Sequence, residues 1–162
     1  MRITQWGEYG VHCCVFIALR YSSASKTASA AEIAESQKID PLYAQQILQR
    51  LRRAKLIQSV RGPGGGYQLT RAPDQITLYD ILRAAEGKTF EVICDTKPLS
   101  AARCSSGTAC GLRGIWQELG DQVNLFLGSY SLADLVQREL AAARSQKDNT
   151  LISIGSATRT IG

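Results

Sequence analysis

The sequence predicts a mainly α-helical fold with a small β-hairpin, arranged as a winged helix-turn-helix followed by a long dimerisation helix. Three patterns support this prediction. Two short amphipathic helices occupy residues 29–53, a strand, a glycine-rich turn and a second strand follow directly, and residues 112–127 form a helix that is apolar on more than one side. A chain of 162 residues is long enough for one domain with an extra helical arm.

The composition is that of an ordinary globular protein, with 44% apolar and 20% charged residues. The first helix keeps polar positions within its apolar part, a pattern that fits neither a signal peptide nor a membrane span. We therefore expect a cytoplasmic protein with no membrane partner. In the cytoplasm the five cysteines are expected to be reduced and to serve as metal ligands, redox groups or buried apolar side chains.

The positive charge of the chain is concentrated in its N-terminal half. Residues 1–75 contain ten Lys and Arg against five Asp and Glu, whereas residues 76–162 contain nine of each. No acidic residue lies between Asp40 and Asp74, but six basic residues do: Arg50, Arg52, Arg53, Lys55, Arg61 and Arg71. A solvated basic surface is one interpretation, and the concentration in one half favours a polyanion as the partner.

Capping residues delimit the first two helices. Thr4 is a suitable N-cap for a helix that runs to about Arg20. A second, shorter helix is predicted over residues 29–39, because Ser29 and Glu32 have the spacing of a capping box.

A third helix is predicted to begin at Asp40 as N-cap, with Pro41 in its first turn. Its apolar residues at helical spacing are Ala44, Ile47, Leu48 and Leu51. Its outer side carries Leu42, Gln45, Gln46, Gln49, Arg52 and Arg53. Glutamine and arginine side chains can form paired hydrogen bonds with base edges, so this helix suits the major groove of DNA.

The segments "LIQSV", "RGPGGG" and "YQLT" predict a β-hairpin wing. The glycine-rich turn is not a phosphate-binding loop, because it lacks the Lys-Ser/Thr pair and precedes a strand. It can instead approach a DNA backbone closely and place Arg61 in the minor groove. The predicted contacts with double-stranded operator DNA are Tyr43, Gln45, Gln46, Arg52, Arg61, Gly62 and Gly64.

The domain organisation follows from these elements. Residues 1–87 form the DNA-binding domain, whose last helix ends at Gly87, and residues 88–111 form a cysteine-containing loop. Residues 112–140 contain the dimerisation helix and a short bracing helix. The interface of a two-fold dimer is assigned to Ile115, Trp116, Leu119 and Val123, although packing within the chain is the alternative. Residues 141–162 are expected to be a flexible tail.

The sequence resembles the IscR/NsrR-type iron–sulfur winged-helix regulators from Met1 to about Leu140. The resemblance rests on "LRRAKLIQSVRGPGGGYQLTRAPDQITLYDILRAAEG", on the loop with Cys94, Cys104 and Cys110, and on the "IWQEL" helix. It implies a homodimeric bacterial transcription factor, expected to be a repressor, in which an iron–sulfur cluster sets the affinity for DNA. An enzyme is not expected, because the sole histidine lies beside cysteines in a helix with no catalytic motif around it, and the Cys-x5-Cys pair is not thioredoxin-like. No small-molecule substrate is expected either.

The chain departs from that family at one ligand position. IscR-type members place a histidine three residues after the last cysteine, where this chain has Arg113. The only histidine is His12, and Glu8 lies one helical turn before it. The resemblance implies that ligands of this kind come from the N-terminal helix of the partner protomer. An ordinary exposed side-chain pair is the alternative for Glu8 and His12.

Two ligand sets therefore remain open. The first combines Cys94, Cys104 and Cys110 with one residue of helix one; the second combines Cys104 and Cys110 with Glu8 and His12. We favour the second set, which predicts a redox-switched [2Fe–2S] cluster, with [4Fe–4S] as the alternative. Cys13 and Cys14 are interpreted as core thiols. A zinc-containing regulator and a metal-free, thiol-based regulator are the alternatives to an iron–sulfur protein.

Overall fold

The structure is a computed structural model that describes residues 3–21, 27–90 and 110–157, with side chains described as far as residue 145. Within these ranges it contains six α-helices and one β-hairpin. In chain order these are α1 (Gln5–Arg20), α2 (Ala30–Gln37), α3 (Pro41–Arg53), β1 (Ile57–Val60), β2 (Gly66–Leu69), a 3-10 turn (Pro73–Gln75), α4 (Leu78–Glu86), α5 (Gly111–Gly128) and α6 (Leu132–Ala157). The predicted fold, mainly helical with a small hairpin, is confirmed.

The N-terminal caps form where the sequence predicts them. The Thr4 hydroxyl accepts a hydrogen bond from the Trp6 N–H at 3.2 Å, and Ser29 and Glu32 complete both halves of a capping box. The Asp40 carboxylate accepts a hydrogen bond from the Tyr43 N–H at 3.0 Å. Helix α2 ends at Gln37, earlier than the sequence predicts, because Lys38 adopts a left-handed conformation (φ 53°) that turns the chain towards α3.

The core lies where α1, α3 and α4 meet. Every residue of the predicted apolar stripe of α3 is fully buried there, and so are Cys13 and Cys14 of α1. Helix α1 approaches α4 closely because its facing positions are Gly7 and Gly10. A Cβ atom at Gly10 would lie 2.9 Å from the Cβ of Ala85, so this approach requires glycine.

The wing is tied to the segment before α2. Strands β1 and β2 are antiparallel, with Ile57 opposite Leu69. Ala28 and Tyr67 exchange backbone hydrogen bonds of 2.8 and 2.9 Å, and the Thr27 hydroxyl donates to the Gly64 carbonyl at 2.6 Å. The wing is therefore fixed to the helix-turn-helix unit by more than its own turn.

Helix α5 lies largely outside this core. Of its residues only Gly120 and Leu127 are buried, and Gly120 packs against the ring of Phe90. Its exposed apolar residues are Leu112, Ile115, Trp116, Leu119, Leu125 and Phe126. The structure therefore leaves an apolar surface on this helix, which is the one that the sequence predicts to form a dimer.

Helix α6 begins against the DNA-binding domain and is longer than predicted. The Leu132 N–H donates to the Ile76 carbonyl at 2.7 Å, and the Leu132 side chain is fully buried. The sequence predicts a bracing helix that ends near Leu140 and a flexible tail from residue 141, but the helix continues to Ala157. Three consecutive alanines at 141–143, the residue with the highest helix propensity, favour this continuation. Residues 158–162 of the predicted tail lie outside the described residues.

No helix in the described part of the chain combines the length and the apolar composition required of a membrane span.

We expect Gly10→Ala to lower the free energy of unfolding by about 1–3 kcal/mol, because the added methyl group overpacks the contact between α1 and α4. Urea unfolding followed by circular dichroism measures this difference. Gly114→Ala is the matched control: no atom of the described residues lies within 4 Å of an added Cβ at that position on α5, so alanine should be neutral or stabilising. Equal stability of the two variants would contradict the close packing at Gly10.

Candidate DNA-binding surface and cluster ligands

The outer side of α3 is polar, basic and exposed. Asp40 begins this helix as its N-cap, and no acidic residue occurs within it. Three of the residues that the sequence assigns to DNA, Gln45, Gln46 and Arg52, are exposed here. Leu42, Gln49 and Arg53 are exposed beside them. This surface offers paired donors and acceptors together with positive charge, which are the groups that base edges and phosphates bind.

The turn of the wing exposes the other predicted DNA contacts. Arg61 follows β1 directly, is exposed, and makes no ion pair with any residue that the structure describes. Gly62 (φ 109°) and Gly64 (φ 76°) have positive φ values and no neighbouring atoms within 4 Å of an added Cβ. Glycine is therefore required here by the backbone conformation, and the turn presents little bulk beside Arg61.

Tyr43 has a different environment from the other predicted contacts. Its ring packs against Trp6, with ring centroids 4.5 Å apart, and against Tyr9, with centroids 5.8 Å apart. We call these three residues the aromatic junction. Burial, followed by the electrostatic interaction with Tyr9, raises the pKa of the Tyr43 hydroxyl. Tyr43 therefore joins α3 to α1 through ring contacts, whereas the sequence assigns it only to DNA.

Arg50 packs on the aromatic junction and links it to α4. Its guanidinium carbon lies 3.9 Å from the centre of the Trp6 ring, and its Nη1 donates to the Ala85 carbonyl at 2.6 Å. One side chain of α3 thus contacts both α1 and α4. The sequence indicated Arg50 only as part of a basic stretch, and helical periodicity could have shown only that it lies beside Tyr43 on the edge of α3.

The predicted metal ligands on α1 are accessible. Glu8 and His12 are both exposed and lie one helical turn apart. Neither side chain makes a hydrogen bond or an ion pair with a residue in the described ranges. Imidazole nitrogen and carboxylate oxygen are both iron ligands. The chemistry and exposure of this pair therefore fit a metal centre.

Of the three loop cysteines only Cys110 can be placed. It is exposed and occupies the N-cap position of α5. Cys94 and Cys104 lie outside the described residues. Within the described ranges no three His, Cys, Asp or Glu side chains come together as metal ligands, so Cys110 does not meet Glu8 and His12 of its own chain.

Cys13 and Cys14 are core residues, as the sequence predicts. Both are fully buried, and burial raises the pKa of Cys13 to about 12 and that of Cys14 further still. A thiol with such a pKa carries almost no thiolate at neutral pH, so it is neither a good nucleophile nor a good metal ligand.

Comparison with known proteins gives a consistent match over most of the chain. The family model Rrf2, described as an iron-dependent transcriptional regulator, matches residues 3–138. The HTH-type transcriptional regulator IscR of Sodalis glossinidius is 36% identical over 139 residues, which are 86% of this chain and 81% of that protein.

Two solved structures are similar along comparable lengths. CymR, the global cysteine regulator of B. subtilis, is 30% identical with a TM-score of 0.65, and the match covers 85% of this chain and 98% of CymR. T. potens IscR is 28% identical with a TM-score of 0.64, covering 86% of this chain and 88% of that one. The matched family and these neighbours are transcriptional regulators and not enzymes.

We expect iodoacetamide at pH 8 to leave Cys13 and Cys14 unmodified in the folded, metal-free protein, because burial keeps both thiols protonated and inaccessible. Peptide mass spectrometry after alkylation measures this. Cys110, which is exposed, is the internal control and should be alkylated. In urea all three should react, and alkylation of Cys13 in the folded protein at the rate of Cys110 would contradict its place in the core.

Proposed function

The chain belongs to the Rrf2 family of DNA-binding transcriptional regulators, and from that premise we propose that it is a homodimeric repressor whose affinity for operator DNA depends on an iron–sulfur cluster. The observation that carries the proposal is the exposed pair Glu8 and His12 on α1, in a chain that has Arg113 at the usual histidine position. When bound, a [2Fe–2S] cluster supplies a one-electron redox couple, whose potential rises where histidine replaces thiolate.

The DNA-binding part of the proposal assigns α3 to the major groove and the wing to the minor groove. The exposed residues Gln45, Gln46 and Arg52 support the first assignment, and exposed Arg61 in the glycine-rich turn supports the second. The acid-free stretch between Asp40 and Asp74 gives this surface a positive potential, which attracts the phosphate backbone of DNA.

The dimeric part of the proposal assigns the apolar side of α5 to contact with a second copy of the chain. Ile115, Trp116 and Leu119 are exposed on this helix, and Val123 is half-buried. An apolar surface of this extent is unfavourable in water and favours burial by a partner. A two-fold dimer formed here would carry two DNA-binding domains and would bind a palindromic operator.

The cluster ligands in this proposal are Cys104 and Cys110 of one protomer with Glu8 and His12 of the other. Support comes from Cys110 at the start of α5 and from the exposure of Glu8 and His12. In the alternative set, Cys94, Cys104 and Cys110 bind the cluster together with one residue of α1. The alternative cluster type is [4Fe–4S]. A shared site of this kind would join α1 of one protomer to α5 of its partner.

The aromatic junction gives α1 a contact through which it can influence DNA binding. Tyr9 lies directly after Glu8 and packs edge-to-face on Tyr43 of α3, and Trp6 packs on the same ring. A shift of α1 that follows a change at Glu8 and His12 would therefore alter contacts of the DNA-binding helix itself. Such a difference in contacts between two states is what a regulatory switch requires.

A second candidate is a metal-free, thiol-based regulator, with a zinc-containing regulator as a related alternative. The similarity to CymR, whose structure matches as well as that of an IscR, favours this candidate. The visible spectrum of anaerobically purified protein, with iron and sulfide analysis, distinguishes an iron–sulfur protein from both alternatives, because an iron–sulfur cluster absorbs visible light, whereas zinc and thiols do not.

We expect Arg61→Ala to weaken operator binding by about 1–3 kcal/mol if the guanidinium contacts a base. The operator is obtained by selection from random duplexes, and binding is measured by fluorescence anisotropy at fixed salt. Arg138→Ala, which removes an exposed arginine of α6, is the control and should bind normally. An equal loss on every duplex would reassign Arg61 to a phosphate contact, and no loss would remove the wing from the interface.

We expect His12→Ala and Glu8→Ala to change or abolish the visible spectrum of the reconstituted protein, because each variant removes a proposed iron ligand. Cys94→Ala should retain the spectrum. Glu35→Ala, which removes an exposed carboxylate of α2, is the matched control. If Cys94→Ala loses iron while His12→Ala keeps the native spectrum, the three-cysteine ligand set is correct.

Mixing two defective variants tests whether the ligands come from both protomers. Neither Cys104→Ala nor His12→Ala is expected to form an intact site in its own homodimer. A heterodimer of the two has one site with all four ligands, so refolding an equal mixture should restore about a quarter of the normal cluster content. No restoration would mean that the ligands come from a single protomer or that the chains do not pair.

A further inference from the structure

A basic cleft lies at the C-terminal end of α3, apart from the cluster ligands. It has a volume of about 530 Å³ and is bounded by the end of α3, the residues between α3 and β1, Arg71 after β2, and α4. Its floor includes Leu56, which is buried. Ligand-binding clefts for small molecules have volumes of roughly 300–1,000 Å³, so this one is large enough for such a ligand.

The cleft has a strong excess of positive charge. Its charged lining consists of Arg50, Arg53, Arg71 and Arg83 with one acid, Asp80. Asp80 is already engaged, because its Oδ2 accepts hydrogen bonds from the Thr77 N–H and from Arg71 Nη2, both at 3.1 Å. Four guanidinium groups around one space repel each other, and an anion bound between them would relieve that repulsion.

Three of the four guanidinium groups are held in place by the protein. Arg50 donates to the Ala85 carbonyl at 2.6 Å, Arg71 to the Gln75 carbonyl at 2.8 Å, and Arg83 to the Tyr79 hydroxyl at 2.6 Å. A guanidinium has five N–H donors, so each retains donors for a ligand. Because the groups are already positioned, a ligand would restrict little additional motion.

The fourth arginine is different. Arg53 is exposed on the outer side of α3, and its guanidinium makes no hydrogen bond or ion pair with a residue in the described ranges. It lines the cleft and also belongs to the proposed DNA-binding surface. The cleft and that surface therefore share one side chain.

From this arrangement we propose that the cleft is a binding site for a phosphate group. The planar donors of arginine match the oxygen atoms of phosphate in pairs, and the lining contains arginine and no lysine. An excess of three positive charges suits a polyvalent group, and the volume accommodates a pyrophosphate. The phosphate comes from a small phosphorylated molecule or from the DNA backbone beside the operator, and the chemistry of recognition is the same in both.

The test uses the full-length protein and pyrophosphate as the probe, with isothermal titration calorimetry. The wild-type chain should bind, and Arg83→Gln should weaken the affinity at least about tenfold, because hydrogen bonds between charged groups are lost. Arg138→Gln is the matched control: its guanidinium also lies over a tyrosine ring, but outside the cleft, and should leave the affinity unchanged. Equal affinity of the wild type and both variants would overturn the proposal.

A variant expected to bind more tightly excludes misfolding as the explanation. Asp80→Asn retains an oxygen that can accept from the Thr77 N–H but removes the only negative charge of the cleft lining. Its affinity for pyrophosphate should rise about threefold or more, since the electrostatic repulsion of the ligand is removed. An unchanged or weaker affinity in a folded Asp80→Asn variant would contradict the electrostatic basis of the site.

A second arm identifies the source of the phosphate. Pyrophosphate binding in the absence of DNA assigns the cleft to a small molecule, and this result does not depend on the proposed function. The alternative result is that pyrophosphate and inorganic phosphate both fail to bind, but Arg83→Gln reduces the slope of log K for operator binding against log salt concentration by about one. In that case the DNA backbone supplies the phosphate. Failure of both arms overturns the proposal.

Discussion

The close packing of α1 against α4 and α3 is the constraint on which the rest of the structure depends. Gly7 and Gly10 allow α1 to approach α4, and the Glu86 carboxylate accepts a hydrogen bond from the Thr4 N–H at 2.7 Å. The packing of α1 against α4 determines which way the remaining side chains of α1 point. One side contributes Trp6 and Tyr9 to the aromatic junction, and on another side Glu8 and His12 are exposed.

The sequence predicts elements well where their causes are local. Ser29, Asp40 and the glycines of the wing form the caps and turns expected of them, because each requires only neighbouring residues. It does not predict the environments of Tyr43 and Arg50, since these depend on where α1 and α4 pack against α3. The extension of α6 was missed for another reason: residues 141–145 lack an apolar stripe, and the alanines indicate a helix only through propensity.

Similarity of fold does not decide what this regulator senses. A cysteine regulator and an IscR match the chain with TM-scores of 0.65 and 0.64, so the same scaffold occurs in regulators with different names. In this chain Arg113 stands where a histidine is expected, and the exposed imidazole is at His12, on a different helix. In the proposed ligand set, α1 contributes two ligands and the cysteine loop contributes two.

The N-terminus of α3 has a consequence for how the protein discriminates DNA from other polyanions. Many helices hold a phosphate through the free amides of their first turn. Here Pro41 has no N–H, and the Tyr43 N–H is occupied by the Asp40 carboxylate, whose charge also repels a phosphate. The attraction of a phosphate to the backbone amides at this end of α3 is thereby reduced. In the proposed contact, affinity for DNA comes from side chains further along the helix. In the proposed complex, α3 would therefore gain little from contact with an arbitrary phosphate backbone and more from a DNA groove that fits those side chains.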